Sequence, residues 1–165
     1  MNTTNIVEQT SEVKTTAIFS KNGKERYLLK MEWDTSKKSL AIVMTFPSTA
    51  NELILDQTTM LVRNGAIKSG FGSVCIVNLF SSINNENSHL DKINNSIVMS
   101  ECEKADTVVV AYGRGTSHDE EKERFLEMLS AYNDKLYTLI DKKGLPFSHP
   151  LSPLAHEWKM EKLKS

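Results

Sequence analysis

The chain has 165 residues, with 20 Lys and Arg against 21 Asp and Glu for a net charge of −1, 39% hydrophobic residues and two cysteines. That length suits one domain that folds on its own core, without a metal or a disulfide. The balanced charge excludes a strongly basic nucleic-acid coat and an acidic disordered tail, and two cysteines exclude a disulfide framework.

The N-terminus carries no basic region followed by an apolar core, and no apolar run is long enough to span a membrane. A cytoplasmic protein with no membrane partner is therefore expected. Residues 1–14 are polar and read as a flexible N-terminus, with one α/β domain over 15–165. Strands are predicted over 15–20 and 25–33, around Lys21-Asn22-Gly23-Lys24. Asn-Gly between β-prone runs signals a hairpin, because both residues tolerate positive φ. Tyr27, Leu29 and Met31 alternate with Arg26, Leu28 and Lys30, which suits an antiparallel strand with one covered face. Four continuous apolar runs follow, at 40–44, 74–77, 107–111 and 136–140. Short β-branched runs of this kind mark strands buried on both faces, as in a parallel sheet.

Helical patterns lie between these runs. Residues 56–68 place Met60, Leu61, Ala66 and Ile67 as apolar positions, and 89–104 place Leu90, Ile93, Ile97 and Cys102. A third helix capped by Ser117 carries Asp119 and Glu120 in its first turn and turns Phe125, Leu126, Met128 and Leu129 inward. Residues 153–164 read as a short amphipathic helix with Leu154, Trp158 and Leu163 inward. Right-handed crossovers then give a three-layer α/β/α sandwich, with a mainly parallel central sheet and an N-terminal β-hairpin. Cys75 in an apolar run and Cys102 on a helix read as buried thiols.

In such sheets ligands bind beyond the carboxyl ends of the strands. Four segments occupy those positions, at 45–50, 78–82, 112–116 and 147–153, all rich in Ser, Thr, Asn, Gly and Pro. Pro47-Ser48-Thr49 is either a pocket wall whose hydroxyls and N–H groups meet a polar ligand or a turn with capping hydroxyls. Asn78 ends an apolar strand and must either pin a loop or read a ligand edge. Tyr112-Gly113-Arg114 is no dinucleotide fingerprint, because position 118 is His. Gly113 suits close backbone approach, while Arg114 meets either a phosphate or the carboxylates of Asp119 and Glu120. His149, in a proline-flanked loop after the last parallel strand, is a candidate functional histidine. His89, His118 and His156 lack metal-ligand spacing, and no cofactor is expected. The Lys and Arg clusters at 21–30 and 159–164 read as solvated faces, with a nucleic-acid rim the alternative.

Four stretches carry a resemblance: residues 26–34, Met44-Thr45-Phe46-Pro47-Ser48-Thr49-Ala50, Val77-Asn78-Leu79-Phe80 and Ser148-His149-Pro150-Leu151. They resemble the DUF family numbered sixteen forty-three, proteins of bacteria and their phages, over roughly residues 25–152. The second and fourth stretches are more loosely similar to the two active-site motifs of the uracil-DNA glycosylase superfamily. That resemblance implies a glycosylase-like fold that reads a flipped base, with His149 helping the base anion leave. Phe46, Pro47, Ser48, Thr49, Asn78, Phe80, Tyr112, Gly113 and Arg114 would then meet the ligand. Phe46 stands where the family has Asn, and a phenyl ring cannot orient water or accept a proton, though it can stack on a base. The resemblance thus implies a nucleobase- or nucleotide-binding protein in which catalysis is in question, with a role in phage biology or host defence. The alternative is an N-glycosyl hydrolase that uses His149. The expected partners are a nucleotide, a nucleobase or nucleic acid, or else another protein.

Overall fold

The computed structural model describes residues 5–85, 88–152 and 158–164. The Asn-Gly signal is met by strands β1 (Lys14–Phe19) and β2 (Arg26–Glu32), paired antiparallel. Only Gly23 takes positive φ, at 72°. Asn22 works through its side chain instead, its Oδ1 accepting from Ser20 Oγ at 2.8 Å and from the Lys24 N–H at 3.0 Å.

The four continuous apolar runs form β3 (Ser39–Met44), β4 (Ser73–Asn78), β5 (Thr107–Val110) and β6 (Leu136–Ile140). They lie side by side and parallel, in the order β4-β3-β5-β6. Helices α1 (Gln57–Lys68), α2 (Lys92–Lys104) and α3 (Asp119–Leu129) connect them. Leu40, Ile42 and Met44 of β3 share a core with Val62 and Ala66 of α1. Ala41 and Val43 face the other way, into a core with Val98 and Cys102 of α2 and Phe125 and Leu129 of α3. Helices thus cover both faces of the sheet, which is why its inner strands carry no polar alternation. Each large side chain buried there contributes about 1.5–3 kcal/mol.

The sheet is mixed, not mainly parallel. Its seven strands run β1-β2-β4-β3-β5-β6-β7, and the pairs β1·β2, β2·β4 and β6·β7 are antiparallel. The seventh strand, β7 (Lys159–Lys162), replaces the expected C-terminal helix. Pairing with β6 satisfies an edge that would otherwise expose a row of N–H and C=O groups, and this overrides the helical apolar spacing. Trp158 and Leu163 do pack against the core, while Leu154 lies outside the described residues.

The helices bury part of the expected faces, Ala66, Cys102, Phe125 and Leu129 among them, and turn the rest to solvent. In α1 the buried positions are Thr59, Val62, Gly65 and Ala66, whereas Met60 and Ile67 are exposed. In α2 they are Asn94, Val98 and Cys102, one per turn, and Ile93 is exposed. In α3 Phe125 and Leu129 are buried and Met128 is exposed. The residue before α3 is His118, left-handed at φ 63° and without a side-chain cap, so Ser117 is not the cap. Among the described residues no helix is long and apolar enough to cross a membrane.

Candidate functional site

Backbone hydrogen bonds stitch the loops beyond the parallel strands side by side. Leu79 N–H donates to the Met44 carbonyl at 2.8 Å and Phe80 N–H to that of Thr45 at 3.0 Å. The Thr45 hydroxyl donates to the Tyr112 carbonyl at 3.2 Å, and Ser148 N–H to that of Leu139 at 2.9 Å. Loops 45–50, 78–82 and 112–116 are thus in direct contact, while Ser148 ties the fourth segment back to its own strand β6.

Phe46 is not an open stacking face. Its ring stacks on that of fully buried Phe80, with centroids 4.8 Å apart, and meets His118 edge-on at 5.5 Å. His118 also meets Phe80 edge-on, at 5.0 Å. Such pairs are worth about 0.5–1.5 kcal/mol beyond burial, so the trio holds the loop after β3 to the start of α3.

The next residues are organised by Arg26, which the sequence pattern places as one member of an alternating strand. Its guanidinium is fully buried. Nη1 donates to the Ala50 carbonyl at 2.8 Å and to the Ser48 carbonyl and Oγ at 3.3 Å each. Burial lowers its pKa to about 10, with nearby Asp56 acting in the opposite sense. Burial also works to raise the Asp56 carboxyl. Hydrogen bonds from Ser48 and Thr59 and the Arg26 charge outweigh it and hold that carboxyl below the usual range. Pro47 is buried and Thr49 exposed, so Ser48 serves the latch and Thr49 faces solvent.

Asn78 is buried, and its Nδ2 has no hydrogen-bond partner among the described residues. Loop pinning falls to Asn94 of α2 instead, whose Nδ2 donates to the carbonyls of Asn78 at 2.8 Å and Leu79 at 3.2 Å. Apolar spacing passes over Asn94, whose polar side chain lies outside the positions Leu90, Ile93, Ile97 and Cys102.

Tyr112, Gly113 and Arg114 line a cavity of about 280 Å³ between the loop after β5 and helix α3. Tyr112, Phe147 and Leu126 form its apolar walls, and Gly115, Asp119, Lys122 and Glu123 complete it. The rings of Tyr112 and Phe147 are nearly parallel, 15° between planes and 6.5 Å between centroids. Arg114 does not pair with Asp119 or Glu120. It meets buried Asp141, just past β6, at 2.6 Å. Burial pushes the Asp141 carboxyl up, but N–H bonds from Leu145 and Lys143 and the Arg114 guanidinium outweigh it and leave it below the usual range.

Gly113 has φ 81°, and a Cβ there would lie 3.5 Å from that of His149. His149 is half-buried and stands behind this wall. Burial lowers its pKa and so favours the neutral ring. Its Nδ1 accepts from the Leu151 N–H at 3.1 Å, which leaves the proton of the neutral ring on Nε2. A neutral imidazole fixed in this tautomer can donate a hydrogen bond to a carbonyl or to a departing base. His149, Phe46, Ser48 and Asn78 do not line the cavity itself.

Cys75 and Cys102 are free and buried, and burial raises both thiols, Cys102 to about 12. Among the described residues no group of His, Cys, Asp and Glu is arranged to hold a metal. His156 lies outside the described residues.

No curated protein and no solved structure matches the chain. Residues 26–151 match the family described as "Protein of unknown function (DUF1643)", a span that begins at the Arg26 latch and ends just past His149. On that match, which covers most of its length, the chain belongs to the DUF1643 family.

Proposed function

We propose that the protein binds a nucleobase or nucleotide at the carboxyl ends of its parallel strands, in a uracil-DNA-glycosylase-like setting, without cleaving a glycosidic bond. The observation that carries this reading is the cavity walled by Tyr112 and Phe147, with His149 behind Gly113. The Phe147 ring, half-buried and backed by Tyr112, offers a face for a planar heterocycle, and stacking on such a ring is worth about 1–3 kcal/mol per base. At about 280 Å³ the cavity lies near the lower end of ligand sites, which run roughly 300–1,000 Å³. The absence of cleavage rests on Phe46. Its ring is packed against Phe80 and His118, and a phenyl ring offers no polar group at the position where the resemblance implies an Asn. Help of that general acid–base kind contributes about 10²–10⁴-fold.

Calorimetry against free bases, nucleosides and nucleotides tests the reading. Binding by the unmodified protein, weakened by Phe147→Ala and unaccompanied by uracil release from oligonucleotides, is the expected outcome. Binding to none of them would overturn it and leave a protein partner as the better account.

A second reading is favoured by one observation, the Leu151 N–H donating to His149 Nδ1 at 3.1 Å, which turns Nε2 of a neutral ring into a donor. Such a group could stabilise a departing base in an N-glycosyl hydrolase. Release of free base by the unmodified protein, abolished by His149→Ala, would establish it.

A further inference from the structure

Charge at the cavity narrows the ligand. Arg114, the residue best suited to hold a phosphate, is engaged at 2.6 Å by the buried carboxylate of Asp141, so its charge is already compensated. Lys122 is the remaining cation of the lining, and its Nζ donates to the Gly115 carbonyl at 2.9 Å. Against it stand two carboxylates, Asp119 and Glu123, neither in an ion pair among the described residues. With Asp141 counted against Arg114, the site holds two cations and three carboxylates, a net charge of −1. The N-terminus of α3 does not reverse this. Asp119, Glu120 and Glu121 occupy its first turn and offset the partial positive charge that would otherwise attract an anion.

We infer that the cavity takes an uncharged base or nucleoside bearing an exocyclic amino group, and discriminates against the same compound carrying a phosphate. The inference rests on the base-binding reading above and names its ligand class. Carboxylates accept hydrogen bonds and cannot donate them, so Asp119 and Glu123 suit the amino and ring N–H donors of guanine, cytosine or adenine. A phosphate brought to the same rim meets like charge at short range, a repulsion that solvent and salt screen only in part at low ionic strength.

The test compares guanosine, adenosine and cytidine with their 5′-monophosphates by calorimetry on the full chain, at low and at high salt. Each nucleoside is expected to bind about tenfold or more tightly than its monophosphate at low salt. Salt screens exposed charge, so the gap should narrow as salt rises. Asp119→Asn and Glu123→Gln should each raise monophosphate affinity. Both sites are exposed or at the rim, so these variants fold, and unchanged melting temperatures would verify that. Monophosphates binding more tightly than nucleosides, or losing affinity with salt, would overturn the inference while leaving base binding intact. Binding of neither form would instead refute the base-binding reading.

Discussion

Replacing Arg26 by Met separates what the buried guanidinium costs from what it holds. The lowering of its pKa from 12.5 to about 10 corresponds to about 3 kcal/mol against the charged form in the fold. Met fills a similar volume without that penalty, but leaves the carbonyls of Ser48 and Ala50 without their donor. Each buried acceptor left unpaired costs about 1–3 kcal/mol. The two effects nearly cancel, so Arg26→Met should destabilise the protein by only about 1 kcal/mol. Arg26→Ala adds a cavity and should cost about 2–4 kcal/mol more. The local effect should be larger than the global one. With the latch gone, residues 47–50 lose their anchor, and their amides should exchange faster in both variants. Urea denaturation reads the first quantity and amide hydrogen exchange the second. A loss above about 5 kcal/mol in Arg26→Met would show that the charge itself stabilises the fold. Unchanged exchange at 47–50 would show that Arg26 does not hold the loop.

Three further predictions follow from the same geometry. His149 has a folded pKa below its unfolded value, so the unfolded chain binds the extra proton more readily. Its contribution to stability is present above about pH 6.5 and declines as the pH falls below the unfolded pKa; the melting temperature should drop less on acidification in His149→Asn than in the unmodified protein. Gly113→Ala meets ordinary contact space beside His149 but a left-handed backbone, so denaturation should show a loss of about 1–2 kcal/mol with the fold retained. Cys75 and Cys102 should react with a thiol reagent only when the protein unfolds, and fast modification of either in the native state would contradict their burial.

The inner sheet and the line of candidate loops were legible in the sequence because both follow from local pattern. A run such as residues 40–44 has no polar alternation, and only a strand covered on both faces accommodates that. Strand carboxyl ends then place 45–50, 78–82, 112–116 and 147–152 on one edge of the sheet, whichever side chains they carry. Helix faces were less legible. Ala66, Cys102, Phe125 and Leu129 are buried as the apolar spacing implies, but exposed Met60, Ile67, Ile93 and Met128 cost little and Thr59 and Asn94 are buried, so spacing alone did not fix the stripe. The partners of charged and polar groups were decided by tertiary structure alone. Arg114 lies beside Asp119 in sequence but pairs with Asp141, because the parallel crossover sets β6 next to β5. Arg26 looks like one member of an alternating strand until the fold carries the Ser48 loop over it. Phe46 reads as a free stacking surface until Phe80 and His118, distant in sequence, pack against it. The basic segment 159–162 has the spacing of a helix and became a strand because β6 offered an open edge. Local pattern set the inner strands and the three helices, since each residue carries its own preference; the C-terminal strand and which side chains meet depend on the long-range packing of elements, and no single stretch of sequence encodes them.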